Sequence, residues 1–232
     1  VLTHELVSRL ERDHPFYSFK PHEKQMELLK NPARIRAAIG ANRTGKSEII
    51  AYICACHFLG WCPALTREYG NIIAHPGKQS IWVVSPDANV SRDVAEEKIR
   101  KFLPEEEQCI WKAQDRVWRH QNGNTLGFKS CDSGREKFQG TTRTLIAFDE
   151  EPNGEVYNEC YARTIDCGGR LMFAFTPLLG SIWLHDYLFN RPDLDIYTMS
   201  MGLIDNPYIP RDEIEIAKKQ YSGDELRIRV YG

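Results

Sequence analysis

The chain has 232 residues, with 30 Lys+Arg against 32 Asp+Glu for a formal net charge of -2, and it is 42% hydrophobic and 11% aromatic. That content, with ten Tyr, ten Phe and five Trp, excludes intrinsic disorder and supplies the core of an ordinary-sized domain. The near-zero charge excludes a globally basic nucleic-acid binder, so any such contact must rest on a local patch. No stretch reaches the roughly 18 to 20 uninterrupted apolar residues of a membrane span, and the opening VLTHELVSRLERDH carries acids and bases where a signal peptide has its apolar run. The expectation is a soluble, intracellular single domain with no membrane contact.

In chain order, the pattern predicts helices over Leu2 to Arg12 and His22 to Lys30, a short strand from Arg34 to Ile39, a Gly-rich turn, and a helix from Lys46 to Phe58. Ser80 to Ser85 (SIWVVS) reads as a buried strand, and Asp87 to Leu103 as an amphipathic helix stopped by Pro104. Val117 to His120 and Thr125 to Ser130 flank Gln121-Asn122-Gly123-Asn124, whose Asn-Gly pair signals a hairpin turn. Thr144 to Phe148, Arg170 to Phe175 and Asp195 to Ser200 follow as further strands separated by helical sequence. Alternating strands and helices predict an α/β fold with a mostly parallel central sheet, helices on its faces and the hairpin as an antiparallel addition at one edge.

Seven cysteines cannot all pair within one chain, so reduced thiols are expected. Cys54, Cys56 and Cys62, with His57 among them, lack C-x-x-C spacing and fall in or just after an apolar helix. They read as buried structural thiols, with a zinc site as the alternative.

The chemistry concentrates in two segments. Gly40-Ala41-Asn42-Arg43-Thr44-Gly45-Lys46-Ser47 fits the phosphate-binding pattern GxxxxGK[ST] between a predicted strand and a predicted helix. The glycines let successive backbone N–H groups turn toward phosphate oxygens at a helix N-terminus. Lys46 would neutralise β and γ phosphates, and Ser47 would offer its hydroxyl to Mg²⁺. Leu145-Ile146-Ala147-Phe148-Asp149-Glu150 supplies acids at the carboxyl end of a strand: Asp149 for the metal, and Glu150 to orient or deprotonate the attacking water, with Glu151 as a neighbouring alternative. Thr176, ending the next strand, would face the γ-phosphate or serve as a plain Thr-Pro turn. Upstream, Phe19 could stack on adenine and Gln25 read its edge, favouring ATP over GTP.

Together, PHEKQ, the P-loop GANRTGKS with its internal Arg43, the hairpin NGNTLGFKS, EKFQGTTRTLIAFDEEP and FTP resemble the ATPase domain of the large terminase subunit of tailed bacteriophages. The likeness runs from about residue 19 to residue 180, and the tail from Ile204 to Gly232 is similar to the end of that domain. The resemblance implies a P-loop NTPase of the ASCE, RecA-like type. It would be a motor that hydrolyses ATP with Mg²⁺ and moves double-stranded DNA into a preformed capsid, as a ring, usually a pentamer, in the host cytoplasm at the portal vertex. It also implies the portal protein and the small terminase subunit as partners, and a C-terminal nuclease for which this chain is too short.

One position departs from the pattern. Where the family commonly has an arginine before glycine ahead of the acidic strand, this chain has Gln139 before Gly140. A trans-acting role could pass to Arg135 or Arg143, or Arg43 could act in cis. For DNA, the candidate basic groups are Arg92, Lys98, Arg100 and Lys101, and Lys112, Arg116 and Arg119. Two rival readings remain at this level: a helicase-like or remodelling ATPase, and a switch or scaffold that binds ATP without turnover.

Overall fold

The computed structural model describes residues 13–65, 77–104, 109–177 and 182–231, and the helix expected over Leu2 to Arg12 lies outside them. After a helical turn at Pro15–Ser18 come α1 (Glu23–Lys30), β1 (Ile35–Gly40) and α2 (Lys46–Leu59). They are followed by β2 (Ser80–Ser85) and α3, which runs through Ala88–Val90, Ser91–Glu96 and Glu97–Arg100. The edge strands are β3 (Cys109–Lys112), β4 (Val117–His120) and β5 (Thr125–Ser130). Then come β6 (Leu145–Asp149), α4 (Gly154–Ala162), β7 (Arg170–Phe175), α5 (Ile182–Phe189), β8 (Ile196–Met201) and α6 (Arg211–Gln220).

The eight strands form one sheet in the order β3-β4-β5-β2-β6-β7-β1-β8. All pairs from β5 to β8 are parallel, and only β3–β4 and β4–β5 are antiparallel. Every residue of β1 and β6 is buried, as expected for parallel strands covered on both faces, and apart from Arg36 and Asp149 neither strand carries a charge. α2 is apolar on all sides, which only a fully enclosed helix tolerates. One core, containing Ile49, Ile53, Phe102 and Leu126, fills the α2 face of the sheet. A second, containing Phe138, Phe148, Tyr157 and Phe173, fills the opposite face under α4 and α5.

Two elements differ from expectation. The helix predicted through Leu103 is capped by the Asp87 carboxylate, which accepts from the Asn89 and Val90 amides at 2.8 and 3.0 Å, but its middle six residues are π-helical and it ends at Arg100. Strand β3 has no counterpart in the sequence pattern: Cys109-Ile110-Trp111-Lys112 extends the hairpin to three strands, with only Cys109 buried.

The hairpin turn is tied to the core. Gly123 takes φ 89°, and buried Asn124 donates to the Phe58 carbonyl near the end of α2 at 2.8 Å while accepting from the Gln79 amide at 2.8 Å. Cys54 and Cys56 are enclosed in α2, and Cys62 lies near the Tyr52 hydroxyl. Burial pushes the Cys54 thiol up to about 12, and all seven cysteines are free thiols.

Candidate nucleotide-binding site

Register brings the chemical residues to one edge of the sheet. Ala174 of β7 lies beside Ala38 of β1 on one side and Asp149 of β6 on the other, so the three strands end level. The Gly40 to Ser47 loop, Glu150 and Thr176 emerge together at their carboxyl ends, the edge where ligands bind in parallel α/β sheets.

The loop's shape depends on its glycines. Gly40 has φ 138°, and a Cβ there would stand 2.1 Å from the Met201 carbonyl oxygen. That same oxygen accepts from the Ala41 amide at 3.2 Å, so β8 holds the start of the loop. Arg43 takes the left-handed region at φ 68° and Gly45 follows at φ 92°, turning the backbone into α2. The Thr44 hydroxyl braces the turn by donating to the Ala41 carbonyl at 3.0 Å. Buried Lys46 folds over the loop, with Nζ donating to the Gly40 carbonyl at 2.8 Å and to the Ala41 carbonyl. Burial lowers its pKa to about 8, an effect that Glu150 and Asp149 partly offset.

Asp149 is buried, and its Oδ1 has no hydrogen-bond partner. It lines one small cavity with Ser47, Ala95 and Lys98. Glu150 sits at φ 86°, a strained conformation for a side chain with a Cβ, held by its amide donating to the Ala174 carbonyl at 2.7 Å. Its Oε2 accepts from the Thr176 amide at 3.3 Å, and the Thr176 hydroxyl donates to Asn42 Oδ1 at 2.9 Å. Burial raises the Glu150 pKa above the ordinary carboxylate value. Glu151 is also buried, with Oε2 unpartnered, and has no bond to the P-loop.

Beside the loop opens a cavity of about 420 Å³ lined by Phe19, Lys20, Gln25, Gly45, Asn206 and Tyr208, a size suited to a nucleoside. Phe19 lines it half-buried, its ring packed on Tyr52 at 4.6 Å and Phe102 at 5.3 Å. Gln25 lines the cavity and is also bonded within the protein. Its amide is occupied inside the protein: Oε1 accepts from the His22 amide at 3.0 Å and Nε2 donates to the Gly45 carbonyl at 2.9 Å. Gln25 is therefore a strut from α1 to the P-loop. His22 adds a second tie through Nε2 and the Thr44 carbonyl at 3.2 Å.

Sequence reasoning missed the far wall of this cavity. Asn206 Nδ2 donates to the Arg43 carbonyl at 2.7 Å, and the Tyr208 hydroxyl donates to the Lys20 carbonyl at 3.1 Å. The Asn-Pro-Tyr string was visible, but nothing local linked it to a loop more than 160 residues upstream.

The arginines separate clearly. Arg43 lies exposed on the loop. Arg135 is exposed, and among the described residues its one ion-pair partner is Glu136 at 3.8 Å. Arg143 is engaged within its own subunit: its guanidinium stacks 4.0 Å from the Trp82 ring centroid and donates to Ser80 Oγ at 2.6 Å. It stands just before β6, at the end of the sheet opposite the P-loop. The basic groups on and around α3 are also dispersed. Arg92 pairs with Asp93 at 2.7 Å, Lys101 with Glu48 at 2.5 Å, and Arg116 with Glu96. Arg100 lies over Trp118 at 5.7 Å.

Known proteins resemble this chain in sequence and fold. Residues 38–196 match the family described as the terminase large subunit, T4likevirus-type, N-terminal. The large terminase subunit of Salmonella phage P22 is 24% identical over 271 aligned positions, covering 98% of this chain and 54% of that protein. The chain thus spans about half the length of this curated relative. In fold it is similar to the large terminase of a thermophilic bacteriophage in complex with ADP, with TM-score 0.71, 16% identity, and coverage of 92% of this chain and 53% of that one. It is also similar to the large terminase ATPase domain of Thermus phage P74-26, with TM-score 0.64, 14% identity, and coverage of 99% and 97%. The matched segment contains the P-loop, the acidic strand and Thr176, and it extends over more than half of the sequence: this chain belongs to the terminase large subunit family, in its T4likevirus-type N-terminal region.

Proposed function

We propose that this domain binds and hydrolyses ATP with Mg²⁺ and that, assembled as a ring of about five copies, it converts the cycle into movement of double-stranded DNA into a procapsid. The observation that carries this reading is the Glu150 carboxylate, held on a strained backbone beside Asp149 and bonded to Thr176 directly across from the P-loop. A passive binding site has no need of a positioned base with a raised pKa.

In this reading the amides of the Gly40 to Ser47 loop hold the phosphates, aided by the start of α2. Lys46 leaves the Gly40 and Ala41 carbonyls for the β and γ phosphates. The unpartnered Asp149 oxygen and the Ser47 hydroxyl are the hard oxygen donors that Mg²⁺ prefers, and they would hold it. When bound, Mg²⁺ neutralises charge on the phosphate oxygens. Glu150 accepts a proton from the attacking water, and Thr176 links that acid to Asn42 in the loop. Phe19 packs against the base. Arg43 serves the γ-phosphate in cis, and exposed Arg135 is the candidate for a neighbouring subunit's site. The portal protein and a small terminase subunit complete the machine at the portal vertex, in the host cytoplasm.

A steady-state ATPase assay on the 232-residue chain, with and without duplex DNA, tests the reading. Turnover abolished by Lys46→Ala supports it. ATP binding without turnover would leave a nucleotide-dependent scaffold.

A further inference from the structure

The sheet face that carries the second core runs out before the sheet does. Residues paired across strands point to the same side, so the register defines who shares that face. Trp82 of β2 pairs with Gly127 of β5, Gly127 with Val117 of β4, and Val117 with Lys112 of β3. Ser80 pairs with Thr125, Thr125 with Arg119, and Arg119 with Ile110, while Val84 pairs with Lys129. A Cβ on Gly127 would meet the side chains of Val117 and Trp82, which places those neighbours on this side. α4 and α5 cover the middle of the sheet, but Ile110, Lys112 and Arg119 at its edge are exposed.

The composition of this face is one-sided. The positions just named hold Lys112, Arg119 and Lys129 and no acid. The Arg143 guanidinium and Lys129 Nζ both lie over the Trp82 ring, at 4.0 and 5.5 Å from its centroid. Ion pairs elsewhere in the described residues neutralise Arg92, Lys101 and Arg116, yet none reaches Lys112, Arg119, Lys129 or Arg143. Burial lowers the Lys129 pKa, and Arg143 and Lys137 lower it further. Cations gathered without a counter-charge raise one another's energy, and a polyanion laid across them relieves it.

We propose that the open face of β3, β4 and β5, through Lys112, Arg119 and Lys129, is the surface on which this domain rests the phosphate backbone of double-stranded DNA. Thr125, the partner of Arg119, is four residues from Lys129 on β5, about 13 Å at 3.3 Å per residue, and β3 lies about 10 Å away across two strand spacings. A patch of that extent meets a few phosphates and no base edges, so contact is independent of sequence and readily released. The proposal rests on the DNA-translocating reading given above and names a contact surface for it. It also separates the basic residues around the hairpin: Arg116, bonded to Glu96 and Ser91, is not among them.

The test is fluorescence-anisotropy binding of a short labelled duplex, from about 50 to 200 mM salt, by the unaltered chain and by the triple variant Lys112→Gln, Arg119→Gln, Lys129→Gln. Lys218→Gln on α6 is the control, and binding of a fluorescent ATP analogue checks that the triple variant is folded. Loss of three phosphate contacts lowers the slope of log affinity against log salt by about 2 to 3 and weakens binding at least tenfold at the low-salt end, with nucleotide binding unchanged. If the triple variant binds the duplex with the parental affinity and slope, the surface assignment is overturned while the DNA reading stands. If the unaltered chain binds no duplex even at about 50 mM salt, the surface and the DNA reading fall together.

Discussion

Thr176 stands between the phosphate loop and the acid that follows β6: its hydroxyl donates to Asn42 Oδ1 at 2.9 Å, and its amide donates to Glu150 Oε2 at 3.3 Å. One residue thus bonds both the P-loop and the acid. Thr176→Val keeps the shape and the amide but removes the hydroxyl. The expected result is ATP affinity within about threefold of the parent and kcat lowered about tenfold, the scale of one lost hydrogen bond made in the transition state. Equal loss in affinity and kcat/KM would assign Thr176 to ground-state binding instead.

Lys46 gives a pH dependence with a definite sign. Burial lowers its pKa to about 8 before nucleotide arrives, against the pull of Glu150 and Asp149 and with a further push from Lys98. A lysine with a lowered pKa is charged below that value and neutral above it, and phosphate binding requires the charged form. ATP affinity should therefore hold steady from neutral pH to about 8 and weaken above it, with a proton taken up on binding. Calorimetric titration in two buffers of different ionisation enthalpy measures that proton. Constant affinity up to about pH 10 would contradict the account.

Gly40 is fixed by its neighbour and not by its own flexibility alone. A methyl there would lie 2.1 Å from the Met201 carbonyl oxygen at φ 138°, so either β8 or the loop must move. Gly40→Ala should destabilise the fold by about 3 kcal/mol or more in chemical denaturation. Near-parental stability would show that the contact between β8 and the loop is not maintained in solution.

Gln25 distinguishes a strut from a base reader. Removing its amide leaves the buried His22 N–H and Gly45 carbonyl without their partner. Gln25→Ala should therefore lower stability by about 2 kcal/mol and weaken ATP and GTP binding alike. If stability is unchanged and only the preference for ATP is lost, the side chain reads adenine directly.

The parallel strands, the phosphate loop and the acidic strand were legible because each is a local pattern: an unbroken apolar run, a fixed glycine spacing, or carboxylates at a strand end. What escaped is non-local. Arg36 falls in a buried strand, where its charge looks out of place. In the fold it donates to the Leu28 and Asn31 carbonyls at the end of α1, anchoring the helix whose other end carries Gln25. Arg143 resembles a free cation in sequence, and only the neighbouring strand supplies the indole that holds it. Asn206 and Tyr208 join the cavity beside the P-loop through contacts that no window of sequence contains. Strand β3 was hidden because Cys109-Ile110-Trp111-Lys112 is only four residues long and does not alternate apolar with polar residues.

The central claim is that Glu150 is the base of an ATP-hydrolysing site, and steady-state turnover of Glu150→Gln measured beside its ATP affinity tests it most directly. The substitution keeps the side chain's size and an acceptor for the Thr176 amide while removing the charge. The account predicts turnover reduced at least about a hundredfold with ATP affinity within about threefold of the parent, and Glu151→Gln much less affected. A Glu150→Gln protein that hydrolyses ATP within about twofold of the parental rate would contradict it.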